Sequence, residues 1–514
     1  MVVPHSHPPF LSSVTSREDR ALNNGNHPAD NPTNESRTSF GRTTIYTNAE
    51  SITAANVIPE LTAALNTHAL NYSDIDYLFN YRKGKQPILW RYKDTRGEIC
   101  AKIVVNLADY IVSFKTGYLM GSPVQYVTRE QEDSGDDVTL INRFMNFECK
   151  SKKDFELASW FYTCGVAYRL IEPNSRFDEK DIKKKSPFKT YVLDPRNTFV
   201  VYSSKPSHEP LFAVNYVVFN EKKVYTVYTD TEVFVIDETS TAKEIISTSR
   251  HYCGDIPIIE YAANQLKMGA FEAVITLLDA INLTQSDRSD GVEQFIQAFM
   301  MFKGVDISTG DYKVLREEGA IAVPPDGDIK YIISELNQTQ TQTLIDDMIK
   351  QVLLICGVPL QSDSGTSDSS NNGAMIIKNG WQQAEAKAQE SEKYFEEPER
   401  RFLDIAVKIA NTFGALGDLY TSNMDIRFTR RNYEDIQSKS QVLVTLLGCE
   451  KVHPRIAFEY CGMFIDPNLA YEESREYVEE LEAKQAKELE EALKDSPEDD
   501  EDKTESPQDV QKSA

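Results

Sequence analysis

Two absences narrow the field before any motif appears. The seven cysteines, at positions 100, 149, 164, 253, 356, 449 and 461, are odd in number and no two stand at CxxC spacing. That pattern reads as reduced thiols packed mostly in a core, not as a disulfide framework. The seven histidines are scattered, so no zinc-ligand spacing is present and no metal or cofactor is expected. No apolar run approaches the roughly 18 residues that cross a bilayer. Residues 1–41 are polar and rich in Pro, Asn and Ser, without the apolar segment of a secretion signal. The expectation is a soluble intracellular chain with no membrane contact.

Basic charge is the third shortage: 55 Lys and Arg against 80 Asp and Glu leave a net charge of −25 over 514 residues. From Glu472 onward there are 17 acids and 6 bases, a net of −11, so the remaining −14 makes the folded body acidic too. This argues against a protein that grips nucleic acid tightly, because gripping phosphates needs clustered Lys and Arg. It leaves open one that handles DNA without holding it. Catalytic signatures are missing as well: no GxxxxGK[ST], no GxSxG, no HExxH. No enzyme is expected. A metal-dependent nucleic-acid-processing site built from dispersed acids, such as Asp326 and Asp328 on one turn, would leave no such motif and stays as the alternative.

What is present suffices for several domains and a large core. Residues 1–42 and 494–514 offer little to bury and read as disordered, the second as a solvated acidic tail. Helical patterning starts near "ANVIPELTAALNTHAL" and runs to about Tyr81. "ADYIVSFKTGYLMGSPVQYV" combines a helix, a turn and a strand. "TLINRFMNFECKSKKDFELASWFYTCGVAYRLI" reads as two helices, the second entering a strand at Ala167 to Ile171. From about 188 to 252 the period falls to two, which marks an antiparallel β unit. "DIRFTRRNYED" is a short strand, with helices from about 434 to 493. "KSKKDF" and "DIKKKSP" read as solvated surface, or as contacts to DNA or a partner.

The most informative stretch lies between 256 and 413. At 100° per residue Glu272, Asp279, Asp287, Asp290 and Glu293 fall within an arc of about 120°, opposite Val274, Leu277, Leu278, Ile281 and Val292. Residues 270–297 therefore read as one helix about 42 Å long at 1.5 Å per residue. Exposed faces usually mix Glu with Lys; this face stacks like charge. It is either an ordinary solvated face or a wall that benefits from being negative. A short β-containing insert follows at about 300–335. Its "DISTGDYKVLRE" fails as a calcium loop, because Ser308 and Gly310 replace ligands and Asp311 takes the glycine position. A second helix spans about 338–356, stopped by Gly357 and Pro359. Then "SDSGTSDSSNNGA", residues 362–374, has no large side chain. A long pattern from about Ala374 to Phe413 contains Gly380, Trp381 (read as core packing) and Pro398, where a kink is expected.

This order, helix, β insert, helix, soft loop, kinked helix, resembles the portal proteins of tailed bacteriophages. "LADYIVSFKTGYLMGSPVQY", "DFELASWFYTCGVAYRLI", "YVLDPRNTFVVY" and "GDIPIIEYAAN" are similar to segments of the long-tailed-phage branch, and the resemblance covers roughly residues 57–470. It implies an α+β, mainly helical portal fold assembled as a ring, usually of twelve, around a DNA channel. In those terms 1–42 is an N-terminal arm, 43–269 a wing, 270–299 the first stem helix and 300–336 a clip. The second stem helix is 337–358, a tunnel loop is 359–374, a kinked wing helix and short strand are 375–432, and a helical crown is 433–493. The tail is 494–514.

The resemblance further implies residue roles. Ser362, Asp363, Ser364, Gly365, Thr366, Ser367, Ser369, Ser370, Asn371, Asn372 and the nearby Lys378 would face the DNA. The five acids of the first stem helix would repel it. Lys303, Asp306, Asp311, Lys313, Arg316, Glu317 and Asp326 would form the clip surface for the terminase large subunit and, later, the head-completion and adaptor proteins. The implied partners also include copies of the chain itself, double-stranded DNA passing without sequence specificity during packaging and ejection, and the major capsid and scaffolding proteins. The implied location is the virion, after assembly in the host cytoplasm. A second structural alternative is a capsid subunit. Twelve copies would carry about −300 in all, and a conduit that repels phosphates leaves the duplex free to slide.

Overall fold

The computed structural model describes residues 41–494 apart from 95–96, 129–134, 220–221, 239–241, 297–298, 304–327, 333–337, 361–379, 418, 431–435, 450 and 465–466. The chain divides into two units at Asn432/Tyr433.

The first unit begins with strand β1 (Ile45–Thr47) and helix α1 (Val57–Arg82). Val57, Leu61, Ala64, His68, Asn71, Ile75, Leu78 and Tyr81 of α1 are buried at steps of four or three, the spacing that keeps one helix face inward. A 3-10 turn, Pro87–Trp90, follows, then α2 (Leu107–Met120), β2 (Gln125–Thr128), α3 (Gly135–Phe147), α4 (Lys150–Cys164) and β3 (Val166–Pro173). Gly165 joins the last two at φ +79°. A Cβ there would lie 2.1 Å from the Lys267 carbonyl oxygen, so only glycine lets that chain pass.

The alternating region supplies β4 (Phe188–Leu193), β5 (Thr198–Ser203), β6 (Pro210–Phe219), β7 (Lys222–Tyr228), β8 (Glu232–Glu238), β9 (Lys243–Arg250) and β10 (Ile258–Ala262). The expected antiparallel unit is present, with two differences. β4 leaves it for a three-stranded sheet ordered β10-β3-β4, and β1 adds to the six-stranded sheet β1-β5-β6-β7-β8-β9 in parallel. Local period-two patterning marks strands but carries nothing about which sheet each one joins.

Next come α5 (Ile275–Ile296), β11 (Phe299–Lys303), β12 (Asp328–Ile332), α6 (Gln338–Cys356), α7 (Trp381–Thr412) and β13 (Met424–Arg427), which pairs antiparallel with β2. The main core gathers Phe144, Leu157, Phe161 and Ile171 around Phe395, Phe402, Leu403 and Ile409 of α7, and reaches Leu278 and Ile281 of α5 and Val352 of α6. A second core lies between the start of α1 and the six-stranded sheet, with Phe199, Phe212, Val227 and Phe234 at 0–1% exposure. His68 enters it stacked on Phe199 at 4.4 Å; burial lowers its pKa to about 4.

The second unit holds α8 (Ile436–Leu447), α9 (Pro454–Cys461) and α10 (Pro467–Lys494). His453 caps α9 by accepting the Arg455 N–H, and Phe458 stacks on Phe464 and meets Tyr471 edge-on. Among the described residues no helix is long and apolar enough to cross a membrane.

Candidate functional site

The two helices α5 and α6 stand on either side of a strand pair. β11 and β12 pair antiparallel from Phe299↔Ile332 to Lys303↔Asp328, so the chain leaves α5 and returns into α6. Late in α5, Arg288 donates to Gln342, early in α6, which makes the helices antiparallel. Ile345, Val352, Leu353 and Cys356 of α6 are buried. On the other side Leu344, Leu354 and Ile355 are 52–55% exposed. Of the residues read as the clip surface, Lys303 lies in β11. Asp306, Asp311, Lys313, Arg316, Glu317 and Asp326 lie outside the described residues.

The acids of the first helix do not form one bare wall. Glu272 falls in a 3-10 turn, Glu272–Val274, before α5, and is 2% exposed. Its Oε1 accepts from Arg42 Nη2 at 2.5 Å and from the Gly41 N–H at 2.9 Å; its Oε2 accepts from the Gly269 N–H at 2.8 Å. Asp290 is 1% exposed, 2.5 Å from Lys93 Nζ and 3.1 Å from Arg91 Nη1. Asp287 pairs with Arg91 yet keeps a half-exposed side chain. Asp279 accepts the Tyr81 hydroxyl at 2.8 Å; burial raises its pKa to about 6, against the lowering effect of that bond. Only Glu293 is exposed without an ion pair among the described residues.

The physical reason is a covering strand-like segment. Asn282, Ser286 and Asp290 recur every four residues on α5 and are fully buried. They accept the backbone N–H groups of Val105, Ile103 and Ala101 at 2.7, 3.0 and 2.6 Å. An extended segment thus satisfies its alternate amides on a helix face, where no strand partner serves them. The Asn/Ser/Asp spacing was the available signal; the charge count along the wheel masked it.

The candidate tunnel-loop residues, Ser362 to Asn372 and Lys378, lie outside the described residues. The chain on either side is placed. α6 ends at Cys356 and the chain is described to Leu360; it resumes at Gly380. A Cβ on Gly380 would stand 4.0 Å from Pro359 Cα, and Gln383 Nε2 donates to the Leu354 carbonyl at 3.1 Å. The end of α6 and the start of α7 are therefore close neighbours. Gly380, expected inside the long helix, instead sits at its N-cap with φ +79°. Trp381 is only partly buried and lies against Phe114 and Tyr118, each at 6.0 Å, at the margin of the core and not within it. α7 passes through Pro398 without interruption, so the expected kink does not break the helix.

Beside Pro398 lies a feature that the linear sequence hid. Glu399 is 0% exposed and lies 2.7 Å from Lys150 Nζ and 3.1 Å from Arg169 Nη1. It also accepts the hydroxyls of Tyr126 and Tyr261, each at 2.7 Å. Asp154 completes the set, 2.6 Å from Lys150 and paired with Arg169. Two cations and two anions cancel. Burial alone would raise the Glu399 carboxyl; Arg169 and then Lys150 outweigh it and hold the group well below the usual carboxylate range. Lys150, taken as solvated within "KSKKDF", is 3% exposed. The signals were its i,i+4 spacing to Asp154 and an arginine inside an apolar strand.

Among the described residues no group of three or more His, Cys, Asp or Glu could hold a metal ion. What the site offers is architectural: an antiparallel helix pair, a strand pair that follows one helix and precedes the other, and a long helix bolted to the core by buried charge. A family model described as "Phage portal protein, SPP1 Gp6-like" matches residues 63–496. No curated protein matches the chain. Among solved structures, the neck of a native GTA particle computed with C12 symmetry is 12% identical with a TM-score of 0.42, covering 76% of this chain and 94% of that one. The neck of an empty GTA particle computed with C6 symmetry gives 11% and 0.41, over 70% and 90%. The virion of a native gene transfer agent particle gives 10% and 0.41, over 76% and 94%. Likenesses of this size add no weight to the family match.

Proposed function

The chain belongs to the SPP1 Gp6-like phage portal protein family, whose model spans residues 63–496, and from that premise we propose that copies of it close into a ring at one capsid vertex. Double-stranded DNA passes through the ring during packaging and ejection. The β11–β12 pair and the residues between its strands form the clip that docks the terminase large subunit and later the head-completion and adaptor proteins. Residues 359–374 graze the phosphates as a tunnel loop, and Ser, Thr, Asn and backbone N–H groups there touch phosphates without reading bases. The second unit forms the crown. Assembly takes place in the host cytoplasm with capsid and scaffolding proteins, and the ring resides in the virion.

The observation that carries this reading is the α5–strand pair–α6 arrangement inside the matched span. Its outer apolar side supports a ring. Leu344 and Ile355 lie within about 20° of each other on α6, at 100° per residue, with Leu354 beside them, all about half exposed. Identical subunits in a head-to-tail ring cover such a face with the next copy. The wall that meets DNA is narrower than five acids: Glu293 and the exposed half of Asp287 remain available for it, whereas Glu272 and Asp290 serve the fold.

Native mass spectrometry tests the ring. Twelve copies of the 58.3 kDa chain come to about 700 kDa. The wild type is expected near that mass or another multiple consistent with a closed ring. Leu344→Asp with Ile355→Asp is expected to leave subunits that melt as the wild-type subunit does but no longer close. A wild type that stays monomeric, or a double variant that still forms rings, overturns the assignment.

A further inference from the structure

The segment between β3 and β4 is a closed surface loop to which the channel assigns nothing. Its neck is pinned by Asn174, whose N–H donates to the Pro187 carbonyl at 2.8 Å and whose Nδ2 donates to the Ser186 carbonyl at 2.9 Å. Its inside is plugged. Phe177 is 8% exposed and meets Phe144 and Phe413 edge-on, and Ile182 packs on the same core. A loop with joined ends and its own packed interior holds its shape. Its exposed charged side chains are Arg176, Asp178, Lys180, Lys183, Lys184 and Lys185. Lys185 pairs with Asp181 at 2.9 Å; Lys180, Lys183 and Lys184 have no ion pair among the described residues.

An ordinary solvated surface does not account for this arrangement well. The whole protein carries −25, yet the loop, residues 174–187, holds four Lys and one Arg against three acids, a net of +2. The cations ride on a backbone fixed by buried groups. Beside them Lys153 of α4 reaches β4, with its Nζ 3.2 Å from Thr190 Oγ1, but Glu148 pairs with it at 2.9 Å, so the exposed lysines of the loop carry the patch. The chemistry selects the partner. Protein interfaces are anchored by buried aromatic side chains and arginine. This loop exposes no apolar side chain among its described residues, and its one arginine, Arg176, stands exposed, so it offers a partner no buried aromatic or arginine anchor. Compact ammonium charges on flexible stems suit a row of phosphates, which need neutralising rather than bidentate recognition.

We propose that the Lys180–Lys185 loop is a sequence-independent binding site for the phosphate backbone of duplex DNA, outside the channel wall. The proposal rests on reading the chain as a DNA conduit, and gives that conduit a place where duplex is held rather than repelled.

The test uses the full-length assembled protein and a short fluorescent blunt-ended duplex, with anisotropy read across a salt series. The variant Lys183→Ala/Lys184→Ala/Lys185→Ala is expected to weaken binding about tenfold or more at low salt. It should also reduce the slope of log K against log salt by about 2–3, close to one per lost phosphate contact. Replacing the same three residues by Arg should restore both. An unchanged slope in the Ala variant, or no duplex binding by the wild type, overturns the proposal. So does loss of poly-glutamate binding with duplex binding intact, which would assign the loop to an acidic protein instead. Native mass of the same samples reports ring formation separately, so a failed loop and a failed conduit are distinguished.

Discussion

Glu399 shows what a single residue does here. Its carboxylate joins α7 to α4 through Lys150, to β3 through Arg169, and to β2 and β10 through two tyrosine hydroxyls. Replacing a well-paired buried set with apolar groups can be neutral, but removing one partner strands the rest. Glu399→Gln leaves two buried cations facing Asp154 alone, and is expected to cost about 3–5 kcal/mol, read as a lower urea midpoint at unchanged m. The pH sign follows from the depressed carboxyl. A folded pKa below the unfolded value contributes stability that is full above the unfolded pKa and lost as pH falls through the folded one. The wild type should therefore lose stability below about pH 4.5 more steeply than Glu399→Gln. An identical midpoint for the two proteins at neutral pH would show that the four charges do not act as a unit. Only the i,i+4 pair of Lys150 and Asp154 and the arginine within an apolar strand were legible locally; that Glu399 joins them was not, because it stands 230 residues from Arg169.

The elements were easier to read than their surroundings. The periods of 3.6 and 2 located α1 and α6 close to their observed ends and the antiparallel unit between about 188 and 252, because those segments bury one regular face. The error on α5 came from its neighbour. Residues 101–105 have no periodicity of their own, so nothing in the sequence announced that they would cover the polar side of the helix. That side mixes two kinds of acid, those that bind the covering segment and those that face water, and a helical wheel treats them alike. Asp279, docking α5 to Tyr81 of α1, separates them experimentally. Its pKa of about 6 lies above the unfolded 3.8. Its favourable term is therefore full below pH 3.8 and lost as pH rises through 6. Asp279→Asn keeps the acceptor without the charge. It should stabilise the protein by about 1–3 kcal/mol at pH 7–8, with the gain vanishing near pH 4, in denaturant melts across pH. A gain that does not depend on pH would contradict the burial argument.

For the whole molecule, acidity and solidity belong together. A body of net −14 outside its last 43 residues cannot hold phosphates generally, which suits a passage and leaves the one lysine-rich loop conspicuous. The buried quartet and the backbone ladder on α5 fix the helix pair to a large core, so that the apolar side of α6 is presented without being free to collapse inward. The resemblance found in four short segments and one order of elements extends through the family match over 63–496. Sheet membership, the partners of buried charges and the true faces of α5 depended on contacts between distant parts of the chain, and no single stretch encodes those. The central claim is that this chain alone closes around an open bore. Averaged face-on electron micrographs of the purified full-length protein test it most directly. A closed annulus with rotational symmetry and an empty centre is the expected result; a field of monomers, dimers or solid particles would contradict it.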